Sequence, residues 1–548
     1  MRATLALLFG LAPSLCLAAT FTVTRHDDPL PDACLPGDCS LREAAMAASA
    51  QADADTIVLA GGTYFVSRVD PTPGNDNEPD SGAIKLDHGN VSLIGLGSTA
   101  TRIKWTEPNA SGVVQIHRRL NTPARTVAVQ GMVISHGTQG CLSTSSSTND
   151  DQIELTDVIV ESCTGRPALH VQNTDLTITD SIVRNNSIAQ GGGAGIDILG
   201  SITILSSNLQ VTGNVAAFGG GGVRIYGVIA IVQSHVTWVD DGRSLIANNQ
   251  TNGSGGGIQV SGPASLQLAT VSTAPSSQRM TIRDNVAVGL GGGIHVQTFQ
   301  PASTNRLERL RIIGNSAASG GGIAALSHLQ LVGSEIASNT ATGNGGGVYF
   351  ESEWSGRSLQ QVALSGNQAG GGGGGIAADC SDFEVLNASF DGNRAASGRG
   401  QAIETEGQVL MRHATVRGNG THNTPGIRKA YHTLCAADRI KIANSLITDN
   451  CSSVVTGGIQ SEGGNQYGLR ASACPALQTD RRQSDDSVFG LTLGAYGGAF
   501  NVWGWSTLSL LPPARPQRDF GLTANCTAVD VRGLPRIGRC DAGAFEQQ

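Results

Sequence analysis

The chain has 548 residues with a formal net charge of −8, and it contains 73 glycines but only 4% aromatic and 15% charged residues. This composition is typical of a thin core of small and β-branched side chains with many tight corners. The acidic balance and the lack of any Lys/Arg cluster argue against nucleic acid or an anionic membrane surface as a partner.

The N-terminus has the pattern of a secretory signal peptide over residues 1–19. Met1 and Arg2 precede an apolar stretch, and the small residues Ala18 and Ala19 mark the expected cleavage site. Cys16 raises the alternative of a lipoprotein, but a leucine precedes it where a small residue is needed. No later apolar run reaches the roughly 18 residues of a membrane span. We therefore expect a secreted protein without transmembrane insertion, which is extracellular, on the cell surface or associated with the outer membrane, with the periplasm as the alternative.

Residues 20–90 are expected to form an N-terminal cap and the first strands. Ser40 and Glu43 have the spacing of a capping box, which opens an alanine-rich helix expected to run through Ala50. The following loop contains candidate calcium ligands, because calcium prefers oxygen ligands. These residues are Asp76, Glu78 and Asp80. Their Gly/Pro setting favours an exposed insertion, and no other cofactor is indicated.

Residues 91–460 are expected to form a repeat region. Ten times between residues 186 and 459 an apolar residue, two spacers and an Asn precede a glycine run and an Ile or Val. The step between successive Asn residues ranges from 24 (Asn315 to Asn339) to 36 (Asn249 to Asn285), which is the period of a solenoid. The ten residues are Asn186, Asn214, Asn249, Asn285, Asn315, Asn339, Asn367, Asn393, Asn419 and Asn450.

The residue types favour β-structure over helical repeats, because each unit is a short run of β-formers bounded by Asn and Gly. We predict an all-β fold, a single right-handed parallel β-helix with the N-terminal capping helix and an irregular C-terminal cap. Each Asn is expected at a corner, where stacked Asn side chains can hydrogen-bond between coils. The apolar residue three positions earlier is expected to point inward.

Candidate catalytic residues are few. Asp175, Asp240 and Asp241 resemble parts of the polygalacturonase pattern, in which paired carboxylates support hydrolysis. Asp175 and Asp240 are more than one repeat apart, however, and no Gly-His-Gly follows them, so surface turns are the favoured interpretation. No Gly-x-Ser-x-Gly nucleophile elbow lies between a strand and a helix.

Cysteine usage indicates an oxidising compartment. Ten of the 11 cysteines remain once Cys16 is assigned to the signal peptide, and five disulfides are the natural interpretation. A metal site lacks the usual Cys-x-x-Cys spacing. Proximity suggests the pairs Cys34 with Cys39, Cys141 with Cys163, Cys451 with Cys474 and Cys526 with Cys540, which leaves Cys380 with Cys435.

Both ends of the chain resemble known families. Residues 39–44 spell CSLREA, and this motif with the following segments 55–59 and 62–64 resembles the CSLREA family. Residues 530–536 and 540–546, within an expected C-terminal cap over 461–548, resemble the terminal motif of choice-of-anchor Q proteins. The repeats are also similar to the passengers of polymorphic outer-membrane proteins. The resemblance implies a secreted bacterial β-helix protein on or near the cell surface, and it implies no established reaction.

The sequence therefore favours a non-enzymatic, monomeric β-helix protein that acts in surface interaction, adhesion or envelope structure. A polysaccharide or a host or envelope surface protein is the expected partner. The alternative is a polysaccharide-degrading enzyme on the same fold, either a pectin or uronate lyase or a glycoside hydrolase. The fold of such an enzyme can bring together residues that are distant in sequence, because positions one coil apart stack about 4.8 Å apart.

Overall fold

The computed structural model describes most of the chain. The described residues are 18–50, 53–69, 79–107, 112–118, 122–228, 233–273, 278–299, 304–351, 356–420, 423–435, 438–484, 492–493, 508–509, 520–530, 534–536, 538–544 and 546. Most of the expected signal peptide and the calcium candidates Asp76 and Glu78 lie outside them.

These residues form one α-helix, α1 (Leu41–Ala48), a short 3-10 helix (Thr523–Asn525) and 54 strands, numbered in chain order. The strands are β1 Thr20–Val23, β2 Ala54–Leu59, β3 Gly62–Val66, β4 Ile84–Lys85, β5 Asn90–Ile94, β6 Thr101–Trp105, β7 Val114–His117, β8 Thr126–Ser135, β9 Leu142–Ser145, β10 Asp151–Glu161, β11 Leu169–Gln172, β12 Thr174–Thr179, β13 Ile182–Arg184, β14 Ser187–Ile188, β15 Ile196–Leu199, β16 Ile202–Ser207, β17 Gln210–Thr212, β18 Val215–Ala216, β19 Val223–Tyr226, β20 Ser234–Asp240, β21 Leu245–Ala247, β22 Gln250–Thr251, β23 Ile258–Gly262, β24 Ala264–Thr270, β25 Thr281–Arg283, β26 Val286–Ala287, β27 Ile294–Thr298, β28 Asn305–Glu308, β29 Arg311–Ile313, β30 Ser316–Ala317, β31 Ile323–Ala325, β32 Leu329–Val332, β33 Glu335–Ala337, β34 Thr340–Ala341, β35 Val348–Phe350, β36 Arg357–Gln360, β37 Ala363–Ser365, β38 Gln368–Ala369, β39 Ile376–Ala378, β40 Phe383–Leu386, β41 Ser389–Asp391, β42 Arg394–Ala395, β43 Ile403–Thr405, β44 Val409–Arg412, β45 Thr415–Arg417, β46 Ile427–Lys429, β47 Ile440–Ala443, β48 Leu446–Ile447, β49 Cys451–Ser453, β50 Ile459–Gly463, β51 Gln466–Tyr467, β52 Arg481–Arg482, β53 Thr492–Leu493 and β54 Leu508–Ser509.

All the described strands except the antiparallel pair β53 and β54 stack in parallel into a β-helix, which confirms the predicted fold class. One face is a 14-stranded sheet that runs from β4 to β49, and a narrow edge is an eight-stranded sheet that runs from β14 to β42. The remaining parallel strands make a 30-stranded sheet. This sheet covers two adjoining faces, because β8 and β10 each pair with strands of both. Fourteen rungs at about 4.8 Å give the body a length of about 60 Å.

The predicted asparagine ladder runs along one corner. In a typical unit, the Asn339 side-chain nitrogen donates to Oδ1 of Asn367 at 3.0 Å and to the Ile312 carbonyl at 2.9 Å. Its Oδ1 accepts from the backbone nitrogen and the side-chain nitrogen of Asn315 at 2.9 and 3.0 Å. Each amide therefore bridges successive coils with all its hydrogen-bonding groups satisfied, which the buried position requires.

The corner residue of the tenth repeat unit and the strand residue that follows it were predicted wrongly. The ladder ends on Asp449, whose Oδ2 accepts from both nitrogens of Asn419 at 2.9 and 2.8 Å, rather than on Asn450. Cys451 follows at once and pairs with Ile427 in the place assigned to Ile459. The last unit lacks the glycine run, so the chain re-enters the 14-stranded sheet several residues early.

Inside the corner, the apolar residues three positions before each Asn form one core column, as predicted. Their Cα atoms stay in register from Val183 to Ile447 through ten strands. Each is at most 1% exposed. Burial of such β-branched and aliphatic side chains in a continuous stack supplies the main stabilising term of the fold.

The N-terminal helix closes the first coils. Ser40 and Glu43 form the predicted capping box, but the helix ends at Ala48 rather than continuing through Ala50. Arg42 makes an ion pair of 2.8 Å with Asp28, and both side chains are almost fully buried. The motif residues therefore fasten the cap onto the first coils.

The C-terminal segment lies along a second corner of the body. Arg536 makes a buried 2.8 Å ion pair with Glu546 and also donates to Oδ1 of Asn387 at 3.0 Å. Nδ1 of His413 lies 3.2 Å from the Asp541 carbonyl oxygen. The segment thus covers corner residues of several coils.

The structure contains five disulfides, and their pairing is the one that proximity suggests. They join Cys34 to Cys39, Cys141 to Cys163, Cys380 to Cys435, Cys451 to Cys474 and Cys526 to Cys540. Within the described ranges, no helix combines the length and apolar character of a membrane span.

Candidate functional site: a polar face and its cavity

One outward-facing line of residues runs the whole length of the 14-stranded sheet, and we call it the polar column. Its members occupy the same register position in successive strands, between residues that point into the core. They are Lys85, Gln115, Ser143, His170, Asp197, Arg224, Gln259, His295, Ala324, Tyr349, Ala377, Glu404, Arg428 and Ser452.

The glycine runs pass close to this column and partly cover it. A Cβ atom on Gly193 would lie 2.8 Å from Oδ1 of Asp197, and Gly193 has a φ of +72°. A left-handed backbone this close to a side chain requires glycine. The glycines of the repeat therefore have a second role beside turning the chain, because they make room for polar side chains.

Ionisable side chains are linked at the N-terminal part of the column. Asp197 accepts from Nε of Arg224 at 2.6 Å, and its other oxygen lies 3.1 Å from Nδ1 of His170. Asp197 is 3% exposed, whereas His170 is 28% exposed. The Arg224 guanidinium also lies 4.3 Å from the centre of the Tyr226 ring. A buried carboxylate thus holds a solvent-accessible histidine and an arginine in place.

A cavity of about 240 Å³ opens at the C-terminal part of the same face. Asp379, Glu404 and Glu406 contribute carboxylates to its lining, and Arg399 and Arg428 contribute guanidinium groups. The small side chains of Ala377 and Ala378 form part of the same wall. The exposed side chains of Tyr431 and Val454 also line it.

Glu404 is the central charged group of the cavity. It makes a close ion pair with Arg428 and a longer one of 3.5 Å with Arg399. A Cβ atom on Gly372 would lie 1.3 Å from Oε2 of Glu404, so only glycine leaves space for the carboxylate there. Planar carboxylate and guanidinium groups are thereby fixed next to each other, with further donor and acceptor capacity.

Tyr349 and Asp379 support the cavity from the preceding coils. The Tyr349 hydroxyl donates to Oδ2 of Asp379 at 2.5 Å. Burial and this neighbouring carboxylate raise the pKa of Tyr349 well above its ordinary value, so the phenol stays protonated. Burial, together with the charge of Asp379, also raises the pKa of the Glu406 carboxyl. The three carboxylates are therefore near enough to influence one another.

The structure does not bring the carboxylates singled out from the sequence into one site. Asp175 lies on β12 with its Oδ1 accepting from the Thr203 nitrogen at 2.7 Å. Asp240 is fully buried against Ser206 at 2.5 Å, and burial raises its pKa. β16 lies between the strands of Asp175 and Asp240, and the two residues are also shifted along the strands. Their Cα atoms are therefore about 14 Å apart. This separation exceeds the about 6.5 to 9.5 Å between the two carboxyl groups of an inverting enzyme.

Asp241 has a different environment from Asp240. It forms a 2.7 Å ion pair with the exposed Arg243 and accepts a hydrogen bond of 2.8 Å from Ser207. Although partial burial raises its pKa, the hydrogen bonds from Arg243 lower it overall. Both Asp240 and Asp241 thus have contacts that stabilise a corner of the body.

Of the calcium candidates, only Asp80 lies within the described residues, and its backbone oxygen accepts from Nε of Arg68 at 2.6 Å. Two other groups place potential metal ligand atoms within 4.8 Å of one another. They are Cys380, Glu406, His432 and Cys435, and His413, Cys526 and Cys540. In each group the two sulfurs form a disulfide, whereas metal binding needs thiolates.

Sequence reasoning missed the cavity residues, because they are separated by whole coils and belong to no local motif. Glu404 and Arg428 are 24 residues apart and meet only because β43 and β46 pair in register. The one available signal was the repeat itself: a polar residue follows the inward-facing Ile in several units.

One family model supports the fold. A family model described as "Right handed beta helix region" matches residues 142–330. No curated protein matches the chain significantly. Three solved structures align over most of the chain. The pectate lyase Pel9A is 13% identical, the alignment covers 97% of this chain and 96% of the lyase, and the TM-score is 0.27. The A-module of the mannuronan C-5 epimerase AlgE6 from Azotobacter vinelandii is 14% identical, with 81% of this chain and 93% of the module covered and a TM-score of 0.30. Tailspike protein 3 of bacteriophage CBA120 is 10% identical, with 81% of this chain and 58% of the tailspike covered and a TM-score of 0.34. The protein is a right-handed parallel β-helix.

Proposed function

We propose that this chain is an extracytoplasmic surface protein that binds a neutral polysaccharide in the cavity of its 14-stranded face. The five disulfides support a location in an oxidising compartment. Surface interaction is the broader role into which such binding fits.

The main support for this function is that planar charged side chains and an exposed aromatic ring line the same cavity. Carboxylates and guanidinium groups form paired, charge-assisted hydrogen bonds with hydroxyl-rich ligands. Tyr431, 55% exposed at the rim, offers a ring on which a sugar can stack. The cavity volume of about 240 Å³ is small, which suits one or two sugar residues of a longer chain.

The charge balance favours a neutral polymer. Asp379, Glu404 and Glu406 face two guanidinium groups in the lining, and the chain as a whole has a formal charge of −8. A polyanion would meet repulsion here, because like charges in a partly buried site are costly. Hydroxyl groups of a neutral sugar meet no such penalty.

The test is retention of the mature protein on a panel of neutral and acidic polysaccharides, with and without calcium. We expect retention on at least one neutral polymer, and loss of a carboxylate acceptor in Glu404→Gln should weaken it by about tenfold or more. Glu384→Gln is the matched control, because Glu384 is exposed on the 30-stranded face in a neighbouring part of the same coil. Retention on no polymer, or equal retention of both variants, would refute the proposal.

Cleavage of the bound polymer is the second candidate, and Glu406 favours it. A carboxyl whose pKa is raised by burial and neighbouring carboxylates is suited to act as a general acid, as glycoside hydrolysis requires. The same incubation measures it, because an enzyme shortens the polymer. Shortening that disappears in Glu406→Gln would establish catalysis, whereas retention without shortening would support binding alone.

A further inference from the structure

A serine between two histidines lies at the N-terminal part of the polar face, about eight strands before the cavity. Oγ of Ser143 is 3.3 Å from Nε2 of His117. On its other side, Ser143 is in direct register with His170, whose Nδ1 is 3.1 Å from Oδ2 of Asp197. Three adjacent strands of one sheet thus present Ser, His and Asp side by side.

We propose that Ser143 is the nucleophile of an ester hydrolase, with His117 as its general base. A serine hydroxyl within hydrogen-bond reach of an imidazole nitrogen is the arrangement that activates a weak nucleophile. Beside the nucleophile, His170 is held by Asp197, whose carboxylate lies 3.1 Å from Nδ1, so this pair is assigned to position the substrate while His117 takes the Ser143 proton. Arg224 holds Asp197 in place from the other side at 2.6 Å.

The substrate is an ester RCO–OR′, which Ser143 cleaves in two steps. As the Ser143 oxygen forms a bond to the carbonyl carbon, its proton passes to Nε2 of His117. Collapse of the tetrahedral intermediate breaks the C–OR′ bond, and the imidazolium returns the proton to the leaving oxygen as an alcohol. Water then attacks the acyl-serine, giving up a proton to the same imidazole, and the proton returns to Ser143 as the carboxylic acid leaves. Ester and water become acid and alcohol, without any further reactant.

The surroundings define the substrate class. The side chains beside Ser143 on this face are polar, with Gln115 next to it in the polar column and Ser145 next to His117. Gln115 is in direct register with Ser143, and its carboxamide is assigned as the donor to the oxyanion. Because the site lies on a sheet face with polar neighbours, it suits a short acyl group such as acetyl carried on an extended polymer. That the polymer is a glycan rests on the proposed function, whereas the ester chemistry does not.

An incidental pair on another face supplies a stringent control. Nδ1 of His235 lies 2.8 Å from Oγ of Ser265, and the pair is exposed on the 30-stranded sheet. Ser265 therefore has a histidine contact, as Ser143 does, but it has no neighbouring pair like His170 and Asp197. If contact with a histidine were sufficient, both serines would react.

The experiment measures hydrolysis of p-nitrophenyl acetate and labelling by a fluorophosphonate with the full mature chain. We expect the label on Ser143, and a decrease in kcat/KM of about 100-fold or more in Ser143→Ala and in His117→Gln. Asp197→Asn should lower the rate less, and Ser265→Ala should leave it unchanged. Acetate release from an O-acetylated xylan then tests the polymer.

Several results would overturn the assignment. Absence of both hydrolysis and labelling in the wild-type chain would do so, and so would full activity in a Ser143→Ala protein that has the wild-type circular dichroism spectrum. Labelling of Ser265 instead of Ser143 would show only incidental reactivity. The two proposals fail separately, because retention of Glu404→Gln on the polymer tests the binding site, whereas hydrolysis of the small ester by Ser143→Ala tests the nucleophile.

Discussion

Replacement of Asn339 by alanine tests the idea that the asparagine ladder holds the coils together. Asn339 is fully buried. The change removes four hydrogen bonds, two accepted from Asn315 and one each donated to Asn367 and to the Ile312 carbonyl. Asn315 keeps a second partner for its side chain in the Ile282 carbonyl. Each buried group left without a partner costs about 1 to 3 kcal/mol, so about 4 kcal/mol is expected after partial relaxation.

Hydrogen exchange is the assay of choice, because coils of a solenoid open locally and exchange reports on each coil separately. A loss of about 4 kcal/mol corresponds to about a thousandfold faster exchange in the affected coils. Amides of β30, β34 and β38 should show the increase, and those of β14 should not. Asn252→Ala is the matched control, since Asn252 is exposed and should change the free energy of opening by less than about 0.5 kcal/mol. Equal exchange in both variants would refute the argument.

Three further predictions concern other parts of the body. Removing the Cys141–Cys163 disulfide, which closes a loop with a sequence separation of 22, should lower the free energy of unfolding by about 3 kcal/mol. Urea denaturation of the Cys141→Ser/Cys163→Ser variant measures this loss, and an unchanged midpoint would contradict it. Burial lowers the pKa of His413 to about 3, below the unfolded value of about 6.5. Its stabilising contribution is therefore complete above pH 6.5, and the free energy of unfolding falls by about 2 kcal/mol between pH 6.5 and 5. His413→Gln should flatten that slope, and an identical slope would contradict the assignment. Tyr349→Phe removes the hydroxyl donor to Asp379 and should cost about 1 to 2 kcal/mol in thermal unfolding, whereas an unchanged melting temperature would show that water replaces the donor.

The repeat made much of the fold predictable. Each unit places Asn, Gly and an apolar residue at the same point of a coil, so local patterns such as Val183 to Asn186 add up to a ladder without knowledge of distant contacts. The prediction for the tenth unit was wrong because Asp449 takes the ladder position and Cys451 enters the sheet early, although Asn450 and Ile459 also match the repeat pattern. Capping of α1 was equally predictable, because Ser40 and Glu43 interact across one helical turn.

The candidate sites were not predictable in the same way. Whether Ser143 lies beside His170, or Glu404 beside Arg428, depends on which residues of successive coils pair. The coil length varies with inserted loops, so a fixed spacing in sequence does not identify residues that meet in space. Asp175 and Asp240 illustrate the converse, since two parts of a familiar sequence pattern lie on different strands with different burial.

A crystal structure with a bound oligosaccharide would show whether the cavity is the carbohydrate-binding site. The oligosaccharide should be taken from the polymer that retains the protein most strongly. We predict a sugar residue in the cavity with its hydroxyl groups hydrogen-bonded to Glu404 and Arg428 and its ring on Tyr431. A sugar bound on another face, with the cavity free of ligand, would contradict the assignment of this site.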